Sequence, residues 1–161
     1  MTRYVLIVLY VLMPTASVQA APTQVYFGDL HLHTRYSNDA FAFFGTSRTP
    51  DDAYRYARGG SITTNDGRTI KVFAPLDFMA VTEHMRYPGA LWHVAQPDSP
   101  YHDSDIGKMI TSADPRARFG AFLEVLKPAR ATHETPIEGL DVPERSESTW
   151  QLLVKAADDH Y

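Results

Sequence analysis

The chain has 161 residues, 44% of them apolar, with 15 lysines and arginines against 19 aspartates and glutamates, a net charge of −4 and no cysteine. That composition suits one globular unit and excludes a collagen, a disulfide scaffold and any site built on cysteine. The negative balance withholds the cationic surface that a phosphate backbone requires, so nucleic acid is not an expected partner.

Residues 1–20 read as a secretory signal peptide, with Arg3, an apolar run from Tyr4 to Met13, Pro14, and small residues at Val18 and Ala20. The run is half the length of about 20 residues that a bilayer span takes, so no stable membrane span is expected after signal removal. Residues 21–161 are then one exported, periplasmic or secreted domain.

Val25 to His33 is compact and β-prone, and is expected to form a first core strand. Thr49-Pro50-Asp51-Asp52 opens a helix with an N-cap, a proline at the first position and two acids on the dipole, and Gly59-Gly60 closes it. Asp66-Gly67 lies between two β-prone arms and predicts a hairpin. Asp77 to Thr82 predicts a second buried strand. Arg86 to Ser112, rich in proline and glycine, predicts a long loop. Asp114-Pro115 starts a helix with Phe119, Phe122, Leu123 and Leu126 on one face and a stop at Pro128. After a Pro-rich link, Ser146 precedes a last helix carrying Trp150, Leu153, Val154 and Ala157.

The chemistry concentrates at the two strand ends. In Gly28-Asp29-Leu30-His31-Leu32-His33, alternate side chains share a face, so His31 and His33 can reach one metal centre, with Asp29 beside them to orient an imidazole. Asp39 follows in a polar turn, and Thr82-Glu83-His84 delivers another imidazole and carboxylate. Histidine and carboxylate donors suit a divalent transition metal: zinc, iron or manganese. One HxH pair alone is weak evidence, but two such clusters at apolar strand ends reinforce each other. His93, His102, His133 and His160 read as solvated or supporting residues, and His102, Asp103 and Asp105 as a solvated acidic loop.

GDLHLHTRYSNDA followed by FMAVTEH resembles the PHP class of metal-dependent hydrolases, named for its polymerase and histidinol phosphatase members. With TPDDAYRYARG and STWQLLVKAADDHY, the chain from Val25 onward looks like a large, mostly uncharacterised family of exported bacterial PHP-like proteins. The resemblance implies an α/β fold, here the first few βα units of an incomplete distorted βα barrel with a β-hairpin insertion. It implies His31, His33, Asp39 and His84 as metal ligands and two to three ions in a complete site; Asp29 and Glu83, beside these ligands, are the candidate catalytic carboxylates. Glu83 stands where an aspartate is usual. The remaining ligands of such a site come from strands farther along, so the chain is expected to be an N-terminal portion.

The implied activity is hydrolysis of a small anionic ester, a phosphoester foremost, with Arg35, Arg48 and Arg86 available to an anion. A non-catalytic metal- or ligand-binding module and a truncated product without activity are the competing readings.

Overall fold

Strand pairing sets the frame. The computed structural model describes residues 23–84, 86–131, 137 and 142–160; the expected signal peptide and most of the Pro-rich link, His133 included, lie outside the described residues. The elements are β1 (Gly28–Leu32), α1 (Asn38–Phe44), α2 (Pro50–Ala57), β2 (Ser61–Thr63), β3 (Thr69–Lys71), β4 (Phe78–Val81), α3 (Ala90–Val94), α4 (Asp105–Ile110), α5 (Pro115–Ala131) and α6 (Val142–Asp159). β1 pairs with β4 in parallel, with Gly28 opposite Phe78 and Leu32 opposite Val81 and an irregularity between Asp29 and Leu32. The pairing extends past both ends: Asp77 N–H donates to Phe27 O at 2.7 Å, and Thr82 N–H to Leu32 O at 2.8 Å. Gly28 is required by this contact, because a Cβ there would lie 2.3 Å from the Phe78 carbonyl oxygen. The two strands therefore finish side by side, which brings the segments after Leu32 and after Val81 together.

β2 and β3 form the predicted hairpin, antiparallel with Ile62 opposite Ile70 and Asp66-Gly67 in the turn. Among the described residues the result is a mixed α/β arrangement with two two-stranded sheets, neither of them closed.

The strands are not the core that their composition suggested. Leu30 is 66% exposed and Phe27 68%, whereas Leu91 and Val94 are fully buried. The buried cluster is helical: Ala42, Ala90, Leu91, Val94, Ile110, Ala121 and Val125, from α1, α3, α4 and α5, together with Ile137. A strand buries a face only where another layer covers it, and α1, α3, α4 and α5 pack chiefly on one another.

The sequence readings of the second half are corrected here. The expected loop from Arg86 to Ser112 contains α3 and α4, which at five and six residues are too short to display a repeating apolar period. Helix α5 runs through Pro128 to Ala131; a proline so near the C-terminal end removes one helical bond and leaves the preceding turns intact. Its buried stripe is Ala121 and Val125, while Phe119 and Leu123 are 49% and 40% exposed. Helix α6 begins at Val142, ahead of Ser146, and buries Thr149 and Ala156; Trp150 is half exposed.

Helix α2 follows the sequence closely. Thr49 Oγ1 accepts from Asp52 N–H at 3.1 Å while Asp52 Oδ2 accepts from Thr49 N–H at 3.0 Å, a reciprocal capping box. Burial acts to raise the Asp52 pKa, but the Thr49 amide and hydroxyl with Arg55 and Arg48 outweigh it and hold the carboxyl below its ordinary range. With the folded value depressed, the stabilisation is present above the ordinary carboxylate pKa and is lost as pH falls through the folded one. Thr49→Ala is expected to cost about 1 kcal/mol at neutral pH and less in acid, read from denaturant midpoints at both pH values.

Candidate metal centre

Three segments carry the site. Beyond β1 the chain turns through His33 to Ser37, then enters α1, whose first turn holds Asp39. This helix replaces the polar turn expected around Asp39. Ser37 occupies its N-cap position with an extended backbone, followed by Asn38 and Asp39; that capping signature is present in the sequence. Beyond β4, Glu83 and His84 come alongside.

The four expected ligands lie together. His31 Nε2 and His33 Nε2 are 3.0 Å apart, with the rings stacked at 5.0 Å between centroids. The His33 and His84 rings meet edge-on at 4.6 Å. His84 Nε2 is 3.3 Å from Asp39 Oδ2, and one donor atom from each of His33, Asp39 and His84 falls within 4.8 Å of the others. Asp39 Oδ1 is buried with no hydrogen-bond partner, which is costly for a carboxylate oxygen unless a cation satisfies it. The group within reach of one ion is His33, Asp39 and His84, with His31 joined to it through His33, and these donor types suit zinc, iron or manganese.

The histidine orientations have a traceable cause. Ser37, fully buried, donates its one hydroxyl hydrogen to Glu83 Oε2. Its oxygen is then left to accept, from His84 N–H at 2.9 Å and from His33 Nδ1 at 2.9 Å. That direction puts the His33 proton on Nδ1 and leaves the Nε2 lone pair facing His31, the tautomer a ligand needs. Glu83, 8% exposed, also accepts from Thr34 N–H at 2.9 and 3.1 Å and from Thr34 Oγ1. Glu83 thus acts on the cluster through Ser37.

Asp29 is placed differently from the sequence expectation. Its Oδ1 accepts from His31 N–H at 2.8 Å, so the carboxylate steadies the strand backbone at His31 rather than an imidazole. Ser37, which sequence reasoning passed over, holds the orienting position instead. Ser37→Ala is expected to weaken zinc binding about tenfold, measured by competition with a chromophoric chelator, and to release the His33 tautomer in imidazole ¹⁵N spectra. Unaltered affinity and tautomer would remove Ser37 from this role.

The other candidates lie apart. His102 Nδ1 contacts Ala95 O at 3.2 Å. His160 bonds Asp51 at 2.7 Å and stacks on Tyr54, joining α6 to α2. Arg35 lies over the rings of Trp92 and Tyr36, at 4.3 and 5.1 Å. Arg48 accepts from Arg35 N–H through its carbonyl, whereas Arg86 lines a cavity together with Asp39 and His84.

Among the described residues no helix is long and apolar enough to cross a membrane. Comparison with curated proteins and with solved structures gives no match. Residues 20–161, nearly the whole chain, match the family described as protein of unknown function (DUF3604), and the chain belongs to that family.

Proposed function

We propose that this chain is a metal-dependent hydrolase of small anionic esters, phosphoesters foremost. One observation carries the reading: His33, Asp39 and His84, drawn from two strand ends and a helix start, hold donor atoms within 4.8 Å of one another, His31 Nε2 lies 3.0 Å from His33 Nε2, and Asp39 Oδ1 is buried without a hydrogen bond. These residues would hold a divalent zinc, manganese or iron ion, which would supply Lewis acidity toward an ester oxygen. In this reading His33 and Asp39 anchor the ion from half-buried positions, and His31 and His84 close the donor set from the solvent side. Glu83 and Ser37 hold the His33 proton on Nδ1. A PHP-like distorted βα barrel, with two to three ions in a complete site, is the architecture proposed for the domain. The leader-like residues 1–20 support export as a periplasmic or secreted protein.

The test is metal analysis of the purified chain, paired with turnover on a panel of phosphomonoesters and carboxylic esters before and after chelation. Near-stoichiometric metal and chelator-sensitive turnover are expected. His84, with a side chain 63% exposed, leaves the cluster open to solvent, and a non-catalytic metal- or ligand-binding module is the second reading. Bound metal without turnover would select that alternative.

A further inference from the structure

Next to the ligand cluster is a cavity of about 220 Å³, lined by Asn38, Asp39, His84, Arg86, Phe122 and Leu126. Its walls differ in kind. The start of α1 and the segment after β4 contribute charge and polarity. Helix α5 contributes Phe122 and Leu126, four residues apart and so on one face. The Phe43 ring meets Phe122 edge-on at 4.8 Å.

The charged wall is held in a backbone that the chain does not adopt freely. Tyr87, next to Arg86, has φ +51, and among the described residues it is the non-glycine with positive φ. Such conformations persist only where the surroundings enforce them, and they concentrate at functional sites. Here the enforcement comes from Asn38, 5% exposed. Its Nδ2 donates to Tyr87 O at 2.8 Å and to Arg86 O at 3.3 Å, and its Oδ1 accepts from Leu91 N–H at 3.0 Å. Gly89, at φ +74, adds a bond from its N–H to Tyr36 O at 2.7 Å. Asn38 immediately precedes Asp39, so one turn of α1 fixes both a metal ligand and the backbone that carries Arg86.

We propose that this cavity is the substrate pocket and that it selects anionic esters bearing a compact apolar group. Arg86 meets the anionic head beside His84 and Asp39, and Phe122 with Leu126 seats an aryl or branched alkyl group. The volume suits this size: an apolar cavity of about 150 Å³ takes a benzene ring, so 220 Å³ has room for an aryl group with part of its head. This inference rests on reading the neighbouring cluster as a metal site.

Two non-hydrolysable probes, phenylphosphonate and methylphosphonate, test it by calorimetric titration into the zinc-loaded full chain. Phenylphosphonate is expected to bind about tenfold more tightly, from the apolar contact alone. Phe122→Ala should bring the two within about twofold of each other, and Arg86→Met should weaken both about tenfold with their ratio preserved. Leu126→Ser repeats the wall test from an independent position if Phe122→Ala lowers the melting temperature. Equal affinity for the probes, binding of neither, or a preference that survives both wall variants overturns the pocket. A chain that takes up no zinc at the loading step overturns the metal reading instead, so the two failures are distinguishable.

Discussion

Replacing His31 and His84 together by alanine is expected to lower bound metal by more than about tenfold while leaving the fold in place. The two halves of this expectation have separate causes. Both side chains are exposed, and substitutions at such positions ordinarily alter stability by no more than about 0.5 kcal/mol. The structural contact made at His84, from its backbone N–H to Ser37, survives truncation of the ring. What disappears is His84 from the group of His33, Asp39 and His84, together with the neighbouring His31, leaving fewer donors than a zinc site normally holds. Metal content per chain, by elemental analysis after gel filtration, reads the first half. Thermal unfolding with and without zinc reads the second: the parent chain should gain stability with metal by mass action, and the double variant should not. Metal content unchanged in a well-folded double variant would sink the assignment of these residues as ligands.

What the sequence made legible depended on whether a signal was local. Thr49-Pro50-Asp51-Asp52 carries its cap within four residues, and α2 starts at Pro50 with both halves of the capping box made. The hairpin turn at Asp66-Gly67 is local in the same sense. His31, His33, Asp39 and His84 could be named because each stands at or just beyond a recognisable strand end, and parallel pairing of β1 with β4 then brings those ends together. Burial is a different matter. Leu30 and Leu91 are the same residue type, yet one is 66% exposed and the other fully buried, because only the second belongs to the helical cluster that forms the core. Ser37 shows the same limit within the site. Its importance arises from contacts with Glu83 and His84, 46 and 47 residues away, and no spacing rule links a serine to residues that distant. Asp29 is the converse case: strand alternation placed it beside His31, but its carboxylate is taken up by the His31 amide.

Glu83 should be the most sensitive single position in the site. Its carboxylate receives the Thr34 amide, the Thr34 hydroxyl and the Ser37 hydroxyl, and both partner residues are essentially buried, at 1% and 0% exposure. Glu83→Ala strands three buried donors at once, each at about 1–3 kcal/mol. Because neighbouring penalties do not add fully, a loss of about 3–5 kcal/mol is expected, a large share of the roughly 5–15 kcal/mol that holds a typical domain. Metal binding should fall with it, since a Ser37 hydroxyl released from Glu83 can turn its hydrogen toward His33 and abandon the Nδ1–H tautomer. Glu83→Asp separates these effects. It restores the aspartate that the resemblance leads one to expect and keeps the charge, but it is one methylene too short to reach both Thr34 and Ser37 from this backbone. A smaller stability loss with a distinct drop in zinc affinity is the expected pattern, read from denaturant midpoints and chelator competition on the same preparations. If Glu83→Asp matched the parent chain in both, the Glu83 to Ser37 link would not be what orients His33. If Glu83→Ala stayed within about 1 kcal/mol of the parent, the four contacts onto this carboxylate would not be holding the two strand ends together.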